Sequence, residues 1–427
     1  MKPHATHSGG AFDLKVILRA LRHRNYRLFF TGQGISLIGT WMQRIAMGWL
    51  VYRLTNSAFL LGLVGFTGQL PIFLLTPFAG VLADRLNRHR MLVVTQTLAM
   101  IQAFILAALI LRGTILVWHI VSLSIFLGLV DAFDMPVRQS FLVEIVENRE
   151  DLGNAIALNS SIVNSARLLG PSLAGILIAY VGEGVCFLLN AVSYLAVIAS
   201  LLAMKIVARS VETRKADILH GVKEGFSYAY GFLPIRSVLL LLSLVSLLGM
   251  PLTVLMPVFA RDVLHGDSHT LGFLMGASGL GSLVGAAYLA SRRNVLGLEK
   301  WTALASGIFG VGLIVFSLSR NFFFSLLMMF TTGFGMLVQM ASANTLLQAV
   351  VDEDKRGRVM SLYTMAFRGM VPFGSLMGGS LANRIGAPTT VLIGGAACVL
   401  GALVFARRLP AMTKMIQSAY GASRVSP

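Results

Sequence analysis

The chain has 427 residues, of which 56% are hydrophobic and only 12% are charged, about half the charged fraction of a soluble domain. This composition excludes a water-soluble enzyme with an ordinary surface, and its hydrophobicity excludes an intrinsically disordered chain. The formal net charge of +17 does not indicate a nucleic-acid-binding protein, because the basic residues gather in the connections between apolar segments and form no nucleic-acid motif.

Twelve apolar segments follow one another along the chain, each near the length of about 20 residues that a helix needs to cross a bilayer. The first six are Leu28–Leu50, Ala58–Leu82, Met91–Leu111, Ile115–Phe133, Leu152–Val181 and Val185–Ala203. The second six are Ser237–Ala260, Leu271–Ala290, Trp301–Leu318, Phe322–Thr345, Val359–Ala382 and Pro388–Ala406. We therefore predict an all-α membrane protein with twelve transmembrane helices in a lipid bilayer.

A charged loop, GVLADRLNRHR at Gly80–Arg90, joins predicted helices 2 and 3. It places one acid, Asp84, at the end of a spanning helix, next to the bases Arg85 and Arg88. A carboxylate in this place can accept hydrogen bonds from the N-terminus of another helix, where the helix dipole favours anions. The alternative is that the basic residues only fix the orientation of the chain in the membrane.

Three arginines fall inside apolar segments, where a charge costs on the order of 2.5–3.5 kcal/mol or more. They are Arg44 in helix 1, Arg167 in helix 5 and Arg368 in helix 11. We expect all three to face the interior of the bundle rather than lipid. For Arg44, substrate contact and structural pairing are both open, whereas structural or gating roles are favoured for Arg167 and Arg368.

Acidic residues are absent from the middle of every segment, and the nearest ones lie at the end of helix 4. There Asp131 is the best candidate for a proton-binding group, since burial and neighbouring charges can shift the pKa of a carboxylate. Asp134 is expected to pair with Arg138, one helical turn further on. The excess of bases over acids at membrane depth favours an anionic small-molecule substrate over a cationic one.

The stretch GPSLAG at residues 170–175 lies within predicted helix 5. Pro171 removes a backbone donor and bends a helix, while Gly170 and Gly175 allow another helix to approach closely. The expected partner is helix 8, which carries glycines at positions 272, 276, 281 and 285. Ordinary glycine packing with no role in movement is the alternative.

An internal repeat relates the two halves of the chain. An offset of 204 residues places Gly170 on Gly374 and Gly175 on Gly379. Each half thus carries a charged loop followed by a helix with a central run of small residues.

The only long hydrophilic stretch lies between helices 6 and 7. We therefore predict an N-terminal six-helix bundle at 1–204, a cytoplasmic linker at 205–236, and a C-terminal six-helix bundle with a cytoplasmic tail at 237–427. Two parallel halves related by an axis along the membrane normal are typical of major facilitator transporters.

The basic residues also predict an orientation. Most of the 35 lysines and arginines fall on the side of the membrane that holds the N-terminus. Because basic residues accumulate on the cytoplasmic side, we expect a multi-pass protein of the cell inner membrane with both termini in the cytoplasm.

Four stretches carry a family resemblance. The loop Gly80–Arg90 is similar to the Gly-x-x-x-Asp-Arg-x-x-x-Arg-Arg motif of the major facilitator superfamily. Gly39–Ala58, Asp131–Gly175 and Arg356–Tyr363 resemble the exporter branch of that superfamily, which includes enterobactin exporters and macrolide efflux proteins. The resemblance covers all twelve segments.

This resemblance implies a monomer with the major facilitator fold that exports a small molecule by alternating access, in exchange for protons and without a cofactor. It also implies that Asp84 meets the N-terminus of helix 11, near Arg356 and Arg358, in a latch that closes the cytoplasmic side.

A siderophore is the favoured cargo, and the alternatives are a multidrug or macrolide efflux pump and a facilitator without proton coupling. A membrane enzyme is disfavoured, because the sequence has no HExxH motif, phosphate-binding loop or metal-ligand cluster. A receptor or scaffold is disfavoured, because it would have no use for the loop motif together with the repeat.

Overall fold

The computed structural model describes residues 18–146, 148–206, 226–292 and 297–422, and within these ranges the chain forms helices without any strand. The first six long helices are α1 (Arg24–Thr55), α2 (Ala58–Arg85), α3 (Arg88–Leu111), α4 (Val117–Ile145), α5 (Leu152–Val181) and α6 (Glu183–Leu202). The second six are α7 (Leu233–Val263), α8 (Ser268–Ala290), α9 (Leu298–Leu318), α10 (Phe322–Val350), α11 (Glu353–Phe367 with Met370–Ile385) and α12 (Ala387–Ala422). The predicted all-α fold of twelve helices is confirmed; residues 207–225 of the predicted linker lie outside the described residues.

Ten of these helices, among the described residues, are long and apolar enough to span a membrane by length and composition alone. The other two are α1 and α11. Helix α1 carries polar residues such as Gln33, Gln43 and Arg44, and α11 is interrupted at Arg368 and Gly369. Because both pack among spanning helices, they cross the membrane with them.

Helix α4 is longer than the apolar pattern predicts. It continues past Phe133 to Ile145, so that Asp131, Asp134 and Arg138 lie within the helix rather than at its end. The helix can continue through these charges because Asp134 and Arg138 stand four residues apart on one face and pair with each other.

Helix α7 begins at Leu233, with Pro234 in its first turn, where the missing amide hydrogen is not needed. Two wide turns with i→i+5 hydrogen bonding, Val245–Gly249 and Phe259–Val263, interrupt its regular winding. Such turns occur often at functional sites, and here the first of them precedes residues that line the central cavity.

The two halves pack in the same way. In the first lobe α1 packs on α5 and α6, α2 on α4, and α3 on α4 and α6. In the second lobe α7 packs on α11 and α12, α8 on α10, and α9 on α10 and α12. Each contact of one lobe thus has its counterpart six helices further along, which makes the two bundles pseudo-symmetric.

Tight turns repeat the same relation. Gly182 separates α5 from α6 with φ +80°, and Gly386 separates α11 from α12 with φ +85°. Residues that carry a side chain rarely adopt this backbone conformation, so glycine is strongly favoured at both turns. The two glycines stand at the same offset of 204 residues as the internal repeat.

The lobes meet through two equivalent helix pairs, α5 with α8 and α2 with α11. A Cβ added to Gly175 would lie 2.9 Å from the Cα of Gly272, and one added to Gly62 would lie 2.9 Å from the Cα of Gly379. We call the end of the bundle where α1 begins and α12 ends the basic end, and the opposite end the far end. Both glycine crossings lie towards the far end, where they hold the lobes together.

The glycines of the 170–175 stretch do not share one partner. Gly175 contacts α8 as expected, whereas Gly170 lies against Trp41 and Ile38 of α1. Five residues correspond to about 500° of helical rotation, which places the two glycines on different faces of α5.

Polar contacts add to the far-end closure. The hydroxyl of Tyr52 donates to the carboxylate of Asp262, and Arg261 Nη1 donates to Asn56 Oδ1 at 2.8 Å. Each of these bonds joins α1 or its following turn to α7, so each one must break if the far end opens.

Towards the basic end the lobes diverge. The basic-end half of α5 exposes Ser160, Ser161 and Ser165, and the first segment of α11 exposes Ser361 and Thr364. Beyond Gly279, which still contacts α5, helix α8 turns Gly281 and Gly285 to α10 of its own lobe. The molecule is therefore closed at the far end and open towards the basic end.

Replacing Gly175 with leucine tests the glycine crossing. The new side chain would meet the backbone of α8, so we expect the far-end halves of the lobes to move apart by a few ångströms. Spin labels at Arg112 and Leu318, on a background without Cys186 and Cys398, would measure this distance.

Gly153→Leu on the same helix is the control, because no atom lies within 4 Å of its added Cβ. An unchanged distance in Gly175→Leu would show that the crossing does not hold the far end closed.

Candidate functional site

A cavity of about 380 Å³ lies between the lobes in the middle of the molecule. Helices α1, α2, α4 and α5 of the first lobe and α7, α8, α10 and α11 of the second lobe supply most of its lining. Pockets of this size hold drug-sized ligands. The cavity is the natural candidate for a binding site, since both lobes are needed to form it.

The charged residues of the described lining all come from the first lobe. They are Arg44 on α1, Asp131 on α4 and Arg167 on α5. The second lobe contributes uncharged residues only to this lining. The cavity is therefore electrostatically one-sided, although its scaffold is pseudo-symmetric.

Asp134 and Arg138 belong to a separate hydrogen-bonded network. Asp134 is only 1% exposed and accepts hydrogen bonds from Thr95 Oγ1 at 2.8 Å and Gln96 Nε2 at 2.7 Å. It also pairs with Arg138, as the sequence predicts, and Arg138 Nη1 donates to Gln33 Oε1 at 3.1 Å. Neither charged residue lines the cavity, so this pair joins α1, α3 and α4 within the lobe.

Asp131 stands apart from that network. Its carboxylate lines the cavity, and no hydrogen bond or ion pair joins it to another of the described residues. Its charged neighbours are Arg44, Arg138 and Arg368, which act on it through space. Among the described residues it is therefore the cavity-lining carboxylate that lacks a hydrogen-bonding partner.

Arg44 and Arg167 share one aromatic neighbour. Their guanidinium carbons lie 5.1 Å and 5.8 Å from the ring centroid of Trp41. A cation over an aromatic face gains about 0.5–2 kcal/mol, which is less than the cost of a charge at membrane depth. The ring orients the two cations without neutralising them.

The side chains of two arginines contact the opposite lobe, and in each case the contact is with a methionine sulfur. Arg167 Nη2 lies 3.7 Å from Met336 Sδ, and Arg368 Nη1 lies 3.0 Å from Met135 Sδ. A thioether is a weak acceptor. The two contacts join equivalent helix pairs. The first joins α5 to α10, and the second joins α11 to α4, which are their counterparts in the opposite lobes.

The charges around the cavity do not balance. With the Asp134–Arg138 pair set aside, the three arginines Arg44, Arg167 and Arg368 face Asp131 alone, which leaves two positive charges in excess. Arginine stays protonated in proteins, so the excess cannot be removed by titration of the arginines. The surroundings of the cavity therefore carry a net positive charge.

An amide network next to the cavity is missed by the sequence analysis. Asn190 Nδ2 donates to Gln43 Oε1 at 2.7 Å, and Gln43 Nε2 donates to Gln102 Oε1 at 3.1 Å. These bonds join α6, α1 and α3 and fix the cavity-lining Gln43. The signal in the sequence is the presence of amide side chains inside otherwise apolar segments.

The loop motif is described only in part. Gly80, Asp84 and Arg85 lie outside the residues whose side chains the structure describes, so the latch remains a prediction. Arg88 Nη1 lies 3.4 Å from Glu144 Oε2 at the end of α4. Arg356 lies in the first turns of α11 with Arg358, and its Nη1 is 3.8 Å from Glu353 Oε1.

The buried pair within the first lobe makes a stability prediction. Asp134→Ala leaves Arg138 without its carboxylate, so we expect a loss of roughly 3 kcal/mol in the free energy of unfolding. The double variant Asp134→Leu/Arg138→Met removes both charges and should lie much closer to wild type. Unfolding of the protein in lipid nanodiscs, followed by tryptophan fluorescence, measures the losses; equal destabilisation of both variants would contradict the pairing argument.

Comparison with known proteins places these features in context. A profile of the family described as transmembrane secretion effectors matches residues 17–424. The staphyloferrin A transporter of Staphylococcus aureus is 27% identical over 385 residues, 89% of this chain and 95% of the relative.

Two further relatives carry efflux names. The multidrug efflux pump Tap of Mycolicibacterium fortuitum is 24% identical over 84% of this chain and 88% of its own length. Macrolide efflux protein A of Streptococcus pyogenes is 22% identical over 90% of this chain and 96% of its own length.

The crystal structure of a bacterial homologue of the iron transporter ferroportin in an inward-facing state has a similar fold. It superposes with a TM-score of 0.68 at 18% identity, over 90% of this chain and 98% of that one. At this level of identity the likeness concerns the fold alone.

Proposed function

This chain belongs to the transmembrane secretion effector family of the major facilitator superfamily, and on this premise we propose that it exports a small organic anion, with a siderophore as the favoured cargo. Its relatives and fold neighbours are transporters, so the chain is a secondary transporter in the membrane and not an enzyme. We further propose that it acts as a monomer, since two lobes of one chain complete the cavity.

The observation that carries the anionic substrate is the excess of arginine at the cavity. Arg44 and Arg167 line it and Arg368 lies near it, and their described partners are an aromatic ring and thioether sulfurs. A carboxylate or catecholate would replace these weak partners with charge-assisted hydrogen bonds, which are roughly twice as strong as neutral ones. The name of the staphyloferrin A transporter supports a siderophore among such anions.

The orientation follows from the positive-inside rule. We propose that the basic end faces the cytoplasm of a bacterial cell, with both termini there, because the order of the predicted segments assigns most of the lysines and arginines to that side. The conformation closed at the far end is then inward-facing, and the cavity receives its substrate from the cytoplasm.

Export requires the lobes to exchange their open and closed ends. The far-end bonds Tyr52–Asp262 and Arg261–Asn56 break, and the basic-end halves of α5 with α8 and of α2 with α11 come together. We propose that Asp84 then reaches the N-terminus of α11 near Arg356 and Arg358 and stabilises the outward-facing state.

Two driving forces are distinguishable for an anion. The family resemblance implies exchange against protons, for which Asp131 is the candidate carrier. However, a proton on Asp131 and an anion on Arg44 favour each other, because protonation removes the carboxylate that competes for the arginine. The electrostatics of the cavity therefore favour a potential-driven facilitator, which gains about 2.3 kcal/mol per exported negative charge for each 100 mV.

A multidrug pump is the second candidate. Methionine side chains on the second-lobe wall of the cavity can adapt to varied apolar ligands, and two relatives carry efflux names. The arginine excess restricts this candidate to drugs without a positive charge.

A comparison of the medium of a deletion strain with that of its parent tests the proposed function. We expect a small anionic compound to be depleted from the medium of the deletion strain and retained in the cells, with a larger difference under iron starvation. Complementation with wild type or with Arg112→Gln, an exposed arginine outside the loop motif, should restore export, whereas Asp84→Asn should not. If the media of the two strains have the same composition under both iron conditions, export is contradicted. If the compound is depleted to the same extent with and without iron, a siderophore is excluded as the cargo.

Everted membrane vesicles separate the driving forces, with the compound depleted in that comparison as cargo. We expect accumulation to follow a potential that is positive inside the vesicle, even without a pH gradient, and to persist in Asp131→Asn. Accumulation that follows the pH gradient at zero potential and is lost in Asp131→Asn would instead establish proton exchange.

A further inference from the structure

The two walls of the central cavity have opposite chemistry. The first-lobe wall carries every charged residue of the described lining, and the second-lobe wall carries most of its methionines. These are Met250, Met256, Met275, Met329 and Met336. With Phe309 and Leu271 beside them, the methionines make a deformable apolar surface that faces the arginines.

Three hydroxyl groups of the second-lobe wall are turned to their own helices. Thr253 Oγ1 donates to the carbonyl of Met250 at 2.8 Å, and Thr332 Oγ1 donates to the carbonyl of Met329 at 2.8 Å. Ser375 Oγ donates to the carbonyl of Val371 at 2.9 Å. These three donors are already used, which leaves Ser278 as the one other side-chain hydroxyl of the described second-lobe lining.

The first-lobe wall presents its cations side by side. Arg44 and Arg167 both lie over Trp41, and the amide of Gln43 beside them is held by its neighbours. Planar guanidinium groups bind carboxylates with two parallel hydrogen bonds. A negatively charged head group fits here, and an aromatic or aliphatic body would then extend towards the methionines.

We propose that the substrate of this cavity is an amphiphilic organic anion, whose charged head binds Arg44 and Arg167 and whose apolar body packs on the methionine wall. This inference rests on the proposed export function and narrows its substrate class. A polyanion without an apolar body would lose hydrogen bonds to water against the second wall. An amphiphilic cation would be repelled by the positive charges of the arginines.

Calorimetric titration of the full-length protein in lipid nanodiscs tests the proposal, with empty nanodiscs as the blank. The probes are 2-naphthoate, the neutral 2-naphthamide, 2-naphthylmethylammonium and citrate. We expect naphthoate to bind at least tenfold more tightly than naphthamide and citrate, because a charge-assisted bond adds to the contact of the rings. The ammonium compound should bind more weakly than the amide.

Variants assign the two walls. Arg44→Gln should remove the tenfold preference for naphthoate and leave naphthamide binding unchanged, which also shows that the protein is folded. Met275→Asn should weaken naphthoate and naphthamide by similar factors. Arg112→Gln, an exposed arginine outside this cavity and outside the loop motif, is the matched control and should change neither.

Tightest binding of citrate or of the ammonium compound would overturn the proposal, as would a naphthoate preference that survives Arg44→Gln. Transport distinguishes this failure from failure of the proposed function. If vesicles accumulate the ammonium compound, the proposal of an amphiphilic anionic substrate is wrong, while the export function still holds. If the probes bind in the expected order but the deletion-strain comparison shows no exported compound, the export function is contradicted and the ligand class is still supported.

Discussion

The cost of placing an arginine inside a membrane governs this molecule. Of the four arginines that the structure describes facing the interior at membrane depth, only Arg138 pairs with a carboxylate, that of Asp134, inside a network of hydrogen bonds. Arg44, Arg167 and Arg368 keep partners that orient them without neutralising them. This unbalanced charge next to a cavity is the basis for proposing a ligand that supplies the missing negative charge.

The scaffold around this charge is symmetric, while its chemistry is not. Glycine crossings, tight turns and helix pairings repeat from lobe to lobe, as movement of two similar bodies about a common interface requires. The charged lining belongs to the first lobe and the methionine lining mainly to the second. The two lobes thus share their helix packing but line the cavity with different residues.

This division also bears on energy coupling. A proton on Asp131 neutralises the carboxylate that competes with an anion for the arginines. A proton and an anion therefore favour binding at the same time, whereas exchange requires them to bind alternately. Export of an anion from a cell that is negative inside needs no second ion, because the membrane potential already acts on the cargo. The residue that could couple protons, Asp131, lies where it competes for the same arginines.

The sequence by itself determined the class, the number of helices and their repeat, because the length and polarity of a spanning segment are local properties of the chain. It also determined the Asp134–Arg138 pair, since four residues along a helix bring side chains together wherever the helix lies. Only the tertiary structure decided that α4 continues through its charges, that Gly170 and Gly175 contact different helices, and that Arg44 and Arg167 share the ring of Trp41. A helix that is apolar on all sides carries little information about which face meets lipid, partner or cavity, so the rotation of each helix, and with it the binding surface, is fixed only by packing between helices distant in sequence.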